Sequence, residues 1–187
     1  MTIKIYSDRI DIGDFTLFEG NGGVQFDGVA RAENFRGGVG TFQGSISGYL
    51  SGGFVNTIEK FPFATNSNAT DVGDLLTVAT ETSYYESSTA SSKTHGYLAG
   101  GQIGPNIVNT IQKFPFATDT NSTDVGDLTV AKNATAGQSS TAFGYVCAGN
   151  SGVHTNTIEK FPFSADSNGT DVGDLLAVNF ASFGTQD

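Results

Sequence analysis

One eight-residue stretch occurs three times in this chain: NTIEKFPF at 56–63, NTIQKFPF at 109–116 and NTIEKFPF at 156–163. Each copy is preceded by a Gly-Tyr-aliphatic unit, GYLSGG at 48–53, GYLAGG at 96–101 and GYVCAG at 144–149. Each is followed by TDVGDL, at 70–75, 123–128 and 170–175. The Gly-Tyr pairs begin at 48, 96 and 144, an even period of 48 residues. A fixed period of roughly 20–50 residues marks a chain made of small units that bury their apolar faces by stacking on one another.

Within each copy, period-2 patterning gives four strand candidates. The first is a Ser/Thr-rich lead-in, at 41–47, 87–94 and 139–143, and the second is Gly-Tyr-Leu/Val. The third is Thr-Ile-Glu/Gln-Lys-Phe, closed by Pro62, Pro115 and Pro162, where proline need not donate to a ladder. Its two flanking phenylalanines are expected to pack on opposite sides. The fourth is Asp-Leu-(Leu)-x-Val-Ala, at 74–79, 127–131 and 174–178. Between third and fourth, Asn-x-Thr-Asp-Val-Gly-Asp reads as a capped turn, its Asx and hydroxyl side chains bonding backbone. The Gly-Gly pair after the second strand suits a crowded strand end that needs positive φ. No window shows helical spacing over three turns.

Residues 1–40 do not repeat. Ile3 and Ile5, Ile10 and Ile12, Phe15 and Leu17, and Val24 and Phe26 alternate with polar residues, which predicts a small β-meander. Gly13 is a candidate bulge, and the glycines of 19–23 a turn. The Gly-rich run 31–44 reads as a linker or thin stalk. The predicted fold is all-β: an N-terminal β-meander, 1–40, followed by three four-stranded repeat units in 41–187, at about 41–86, 87–138 and 139–187.

Charge and composition exclude several classes. Nineteen acids against nine bases give a net charge of −10, the wrong sign for holding nucleic-acid phosphates. The opening MTIKIYSDRIDIGD places acids where a signal peptide needs an apolar run, and no 18-residue apolar stretch offers a membrane span. No nucleic-acid partner and no membrane insertion are therefore expected. Cys147, the sole cysteine, replaces Ala99 of the second copy and reads as a small buried side chain, so neither a disulfide nor a cysteine metal site is expected.

Read as a pattern, GY(L/V)xGG followed by a Thr-Ile-Glu strand and a Pro turn resembles the kelch-type propeller repeat. The fuller wording GYLSGG–NTIEKFPFATNSNATDVGDL resembles repeats of structural proteins in marine bacteriophages, notably those infecting cyanobacteria. The opening KIYSDRIDIGDFTL is similar to the N-terminus of such virion proteins. The resemblance covers essentially the whole chain, which departs from the eukaryotic kelch repeat in having no Trp. It implies a propeller-type arrangement of the repeats and a place on a virion after synthesis in the host cytoplasm. Residues 1–40 would then hold other virion proteins, and the repeats would face a host surface glycan or protein.

Few residues recommend themselves for chemistry. Asp71, Asp74, Asp124, Asp127, Asp171 and Asp174 recur as Asp-Val-Gly-Asp and are Ca²⁺ candidates, although two carboxylates three apart supply only part of the six to eight oxygens required. Turn capping is the plainer reading, since a catalytic site seldom comes in triplicate. Asn68, Asn121, Asn133 and Asn168 match a glycosylation acceptor pattern and read as turn formers. His95 and His154 have no neighbour at ligand spacing. Glu59, Glu86 and Glu159 are the acids that could imitate a glycosidase pair. Tyr84 and Tyr85 stand where the second copy has small residues, Thr135 and Ala136, and are candidates for an exposed binding surface.

No catalytic residue, bound transition metal or cofactor is expected. The expectation is a non-enzymatic structural or binding protein of a phage particle, a head or tail fibre or appendage. The rival readings are a cytosolic kelch-like interaction domain and a glycan-processing propeller enzyme. Three units do not close a ring, and an open array leaves sheet edges exposed. Either further repeats lie beyond this sequence or copies associate; a homo-oligomer, a trimer ahead of a dimer, is the expectation, with 1–40 near its axis.

Overall fold

The structure is a computed structural model and describes residues 3–5, 9–12, 15–19, 44, 46–77, 83–181 and 183–185. The described residues are all-β, in antiparallel sheets and without helix. The chain divides into two compact units, Met1–Gln43 and Gly44–Asp187.

In the first unit, β1 (Ile3–Ile5), β2 (Arg9–Ile12) and β3 (Phe15–Glu19) form an antiparallel meander in the order β1-β2-β3. Ile3 pairs with Ile12 and Ile5 with Ile10, as their alternation predicts. The irregularity in this sheet falls between Ile10 and Asp11, opposite Leu17. Gly13, Val24, Phe26 and nearly all of the 31–44 run lie outside the described residues.

The second unit stacks three repeats. The first consists of β4 (Ser47–Ser51), β5 (Thr57–Pro62) and β6 (Thr70–Asp74). Most of its expected lead-in strand lies outside the described residues. A short strand, β7 (Tyr84–Tyr85), opens the connection to the second repeat, which contributes β8 (Ser88–Ser91) and β9 (His95–Ala99). A hairpin of β10 (Gln102–Ile103) and β11 (Asn106–Ile107) follows, then β12 (Thr110–Pro115) and β13 (Thr123–Asp127). The third repeat holds β14 (Ala136–Ser139), β15 (Phe143–Cys147), β16 (Thr155–Pro162) and β17 (Thr170–Asn179). Sheet orders are β4-β5-β6, β8-β9-β12-β13 and β14-β15-β16-β17, with β7-β10-β11 as a side sheet. The third strand of every repeat ends on its proline, as expected.

Three strand assignments are corrected. The third lead-in strand is Ala136–Ser139 rather than 139–143, because the Ser140 hydroxyl accepts from Phe143 N at 3.0 Å and folds that tetrapeptide into a turn. The fourth strand is TDVGD itself, the stretch expected to turn. In each copy Asp accepts from the Gly two residues on: Asp71 from Gly73 N (3.1 Å), Asp124 from Gly126 N (3.0 Å) and Asp171 from Gly173 N (3.0 Å). The Asx bond is present, but it builds a β-bulge inside the strand, where Ile58 faces Gly73 and Glu59 faces Asp71, leaving Val72 extra. Among the described residues, the third copy alone continues the strand, through Leu175–Asn179. Tyr84 and Tyr85, expected on an exposed surface and outside the four strands of a repeat, pair with Ile103 and Gln102.

The apolar cores lie between repeats. On β9 and β12 successive side chains alternate faces. Leu98 and Phe114 pack with Ile58 and Leu75 of the first repeat, while Tyr97 and Ile111 pack with Val146 and Phe161 of the third. The Phe-Pro-Phe rings do not diverge as expected. Phe114 and Phe116 meet edge-on, and both reach Tyr49 of the preceding repeat, at 5.6 and 4.9 Å between centroids. Phe161 and Phe163 treat Tyr97 alike, at 5.5 and 4.8 Å. Each such ring pair adds about 0.5–1.5 kcal/mol beyond its buried area.

Candidate interaction surface

The repeated polar residues build the seams between these sheets. At the first seam, Asp74 N donates to Asn121 Oδ1 (3.0 Å) and Ser122 N donates to Asp74 O (2.8 Å). Behind them Gln112 Oε1, buried, accepts from Leu76 N (2.7 Å) and from the Ser122 hydroxyl (2.7 Å). The second seam repeats the plan. Asp127 N donates to Asn168 Oδ1 (3.1 Å), Gly169 N donates to Asp127 O (2.8 Å), and Thr129 N donates to Glu159 Oε2 (2.7 Å). Glu159 is a buried carboxylate, and the buried ammonium of Lys132 neutralises it at 2.7 Å. Lys60 reaches Asp119 across the first seam and Lys113 reaches Asp166 across the second. These last pairs are partly exposed and contribute little.

The close approach explains the repeated glycine. Gly73, Gly126 and Gly173 have φ of +154°, +148° and +152°. A Cβ at Gly73 would sit 2.5 Å from Thr120 O, and one at Gly126 would sit 2.6 Å from Ser167 O. At Gly173 no described atom lies within 4 Å.

The acids proposed for Ca²⁺ fall into two groups. Asp71, Asp124 and Asp171 accept from the bulge glycines, while Asp74 and Asp127 meet the next repeat through their backbone. Asp174 is the unmatched third member. Among the described residues, no three His, Cys, Asp or Glu side chains are grouped as for a metal ion.

The glycosylation-like asparagines are the residues that sequence reasoning undervalued: Asn121 and Asn168 clamp the preceding repeat. Their signal was invariance in a loop whose neighbours vary, as NAT, NST and NGT. The acids Glu59, Glu86 and Glu159 sit on β5, in a connection and on β16. Glu86, at φ +59°, accepts from Asn133 Nδ2 at 2.6 Å. His95 bonds Thr94 Oγ1 through Nδ1 at 2.9 Å, and burial lowers its pKa. His154 stacks on Phe180. Cys147 is buried where Ala99 is buried, its thiol raised by burial.

The reading of Tyr84 as exposed is overturned. Tyr84 is only 1% exposed: it belongs to the core of Ile58, Leu75, Leu98 and Ile103, and the Gly-Pro hairpin β10–β11, longer than the matching loop of the first repeat, pairs with its strand. Its hydroxyl donates to Gly100 O at 2.7 Å. Tyr85 is half-buried, donating to Gly104 O at 3.1 Å. Burial pushes the Tyr84 phenol from 10 to about 12. The folded state thus keeps a proton that the unfolded chain releases near pH 10. The stabilisation is complete below pH 10 and is lost as pH rises towards about 12. We expect the melting temperature of the wild type to fall more steeply than that of Tyr84→Phe from about pH 9 to about pH 11. Near neutrality the variant is less stable by about 1 kcal/mol, having lost one buried hydrogen bond. Parallel pH slopes would refute the assignment.

No protein-family model matches the chain, and a search of curated proteins finds no similar sequence.

Proposed function

We propose that this chain is a non-enzymatic structural and binding component of a phage particle, a head or tail fibre or appendage. Its repeats stack as kelch-like, propeller-type blades. Residues 1–40 attach to other virion proteins, and the repeats meet a host surface glycan or protein. One observation carries the reading: several of the positions that recur word for word join one repeat to the next. Tyr49 and Tyr97, Gly73 and Gly126, Asp74 and Asp127, and Asn121 and Asn168 all serve the seams. A sequence repeated to build itself suits construction better than turnover, and Glu159, one of three acids considered for glycan cleavage, is committed to Lys132. The resemblance of the repeat and of the opening residues to marine phage virion proteins supports the location.

The test is peptide mass spectrometry of purified particles against host lysate. Abundant peptides of this chain are expected from particles. Peptides confined to lysate would favour the cytosolic interaction domain and end the virion reading.

A further inference from the structure

The two internal seams have two sides, and the chain presents one unused copy of each. The downstream side of a seam is formed by Leu98, Phe114 and Asn121, or by Val146, Phe161 and Asn168. Their counterparts in the first repeat are Leu50, Phe61 and Asn68. Leu50 is 64% exposed where Leu98 and Val146 are 1%, and Phe61 is 38% exposed where Phe114 is 5% and Phe161 2%. The upstream side is formed by Ile58, Leu75, Gly73 and Asp74, or by Ile111, Leu128, Gly126 and Asp127. The counterparts in the third repeat are Ile158, Leu175, Gly173 and Asp174. Ile58 and Ile111 are fully buried, whereas Ile158 is half-buried, and beside it Val172 and Leu176 are exposed. Gly173 keeps the bulge of its counterparts with open space where they hold the next repeat's backbone.

We propose that copies of this chain associate head to tail, the third repeat of one copy seating the first repeat of another through the seam that the chain forms twice within itself. The Asp174 N–H would donate to Asn68 of the second copy, the 66–69 loop would lie over Gly173, and Phe61 and Phe63 would close on Tyr145. The occupant is argued from the molecule: these two surfaces are the halves of an interface whose joined form is already seen in residues 44–187. The contact is heterologous, so it closes into a ring or runs on as an open stack. It goes beyond the virion reading and holds on any particle or on none.

Two positions adapt the seam. Asn66 stands where Asp119 and Asp166 receive a lysine, so Lys160 would find an amide instead of a carboxylate. Glu59 stands where Gln112 and Glu159 accept a backbone N–H, but no described counterpart of Lys132 faces it. Glu59→Gln should therefore tighten the association.

The experiment is sedimentation of the full-length chain over a concentration series, with one variant blocking each side. Leu50→Asp charges the head side. Gly173→Ala puts a methyl where the loop of the second copy must lie, with no described atom near it in its own chain. The wild type should gain mass with concentration. Each variant alone should stay monomeric, its association weakened roughly a hundredfold or more. Mixed one to one, the variants should form a dimer and stop there, since the Leu50→Asp chain keeps its tail and the Gly173→Ala chain its head. Circular dichroism and melting curves confirm that each variant is folded. A wild type that remains monomeric up to its solubility limit overturns the proposal. So do variants that associate as well as the wild type, a mixture that stays monomeric, or a Glu59→Gln chain that associates more weakly.

Discussion

Gly126→Ala is expected to destabilise the repeat array by about 3–5 kcal/mol, the sum of a strained dihedral and an overpacked contact. Gly173→Ala is expected to cost only about 1–2 kcal/mol. Both residues have nearly the same φ, +148° and +152°. They differ in what a methyl group would meet: the Ser167 carbonyl and the Asn168 amide within 3.0 Å at Gly126, and nothing described within 4 Å at Gly173. The pair separates backbone strain, common to both, from stacking, present only at the first. Gly73→Ala, which faces the Thr120 carbonyl at 2.5 Å, should follow Gly126→Ala. Melting temperature is a sufficient readout, with the inner-seam variants lower by roughly 10 °C for a unit of this size. Equal losses at 126 and 173 would show that the seams contribute little to stability.

The second large effect lies at the buried ion pair. Lys132→Met or Glu159→Gln alone should each cost about 3–5 kcal/mol, because either leaves a full charge buried without its partner. Lys132→Met together with Glu159→Gln should recover most of that loss. Glutamine at 159 still accepts from Thr129 N, as Gln112 already accepts from Leu76 N at the other seam. The residual cost is the lost Lys132 Nζ–Thr157 Oγ1 bond at 3.0 Å. A double-mutant cycle in denaturant melts should return a coupling of about 2 kcal/mol or more. Additive effects would mean that the two side chains are solvated in solution and not paired.

The patterning made the all-β class and the proline-ended third strand legible in the sequence. Alternation on Thr-Ile-x-Lys-Phe also foretold two faces. What it left out was that both faces are covered. Gln112 and Glu159 are polar strand residues, yet they are buried, because they accept from backbone amides of the preceding repeat, some 30–36 residues away. Periodicity reports that a side chain leaves the strand and says nothing of what waits there. TDVGD was misread for a related reason. Its Asp and Gly do make a local turn-like bond, but the bulge is held extended by the pairing of β5 with β6 and by the loop of the next repeat. The burial of Tyr84 is not legible locally because the hairpin that pairs with it begins 18 residues later, although its Gly-Pro turn is visible at Gly104. Beside the expected strand edges, the described residues of the terminal repeats also expose apolar side chains on the face of a sheet: Leu50 and Phe61 in the first, Val172 and Leu176 in the third.

The two internal seams are not interchangeable, and this bears on how three nearly identical segments find their correct neighbours as the chain folds. Repeat proteins are prone to pair the wrong copies. Here, if the third repeat docked on the first, Glu159 would be buried against Leu76 without Lys132, an error costing several kcal/mol. Docked on the second, it meets its cation. The first seam has a neutral amide at the same place and accepts no charge. A single ion pair would thus act as an address label, favouring the docking of the third repeat on the second. In the head-to-tail association proposed above, its absence opposite Glu59 would leave contacts between chains weaker than contacts within one, and each molecule would be completed before joining another.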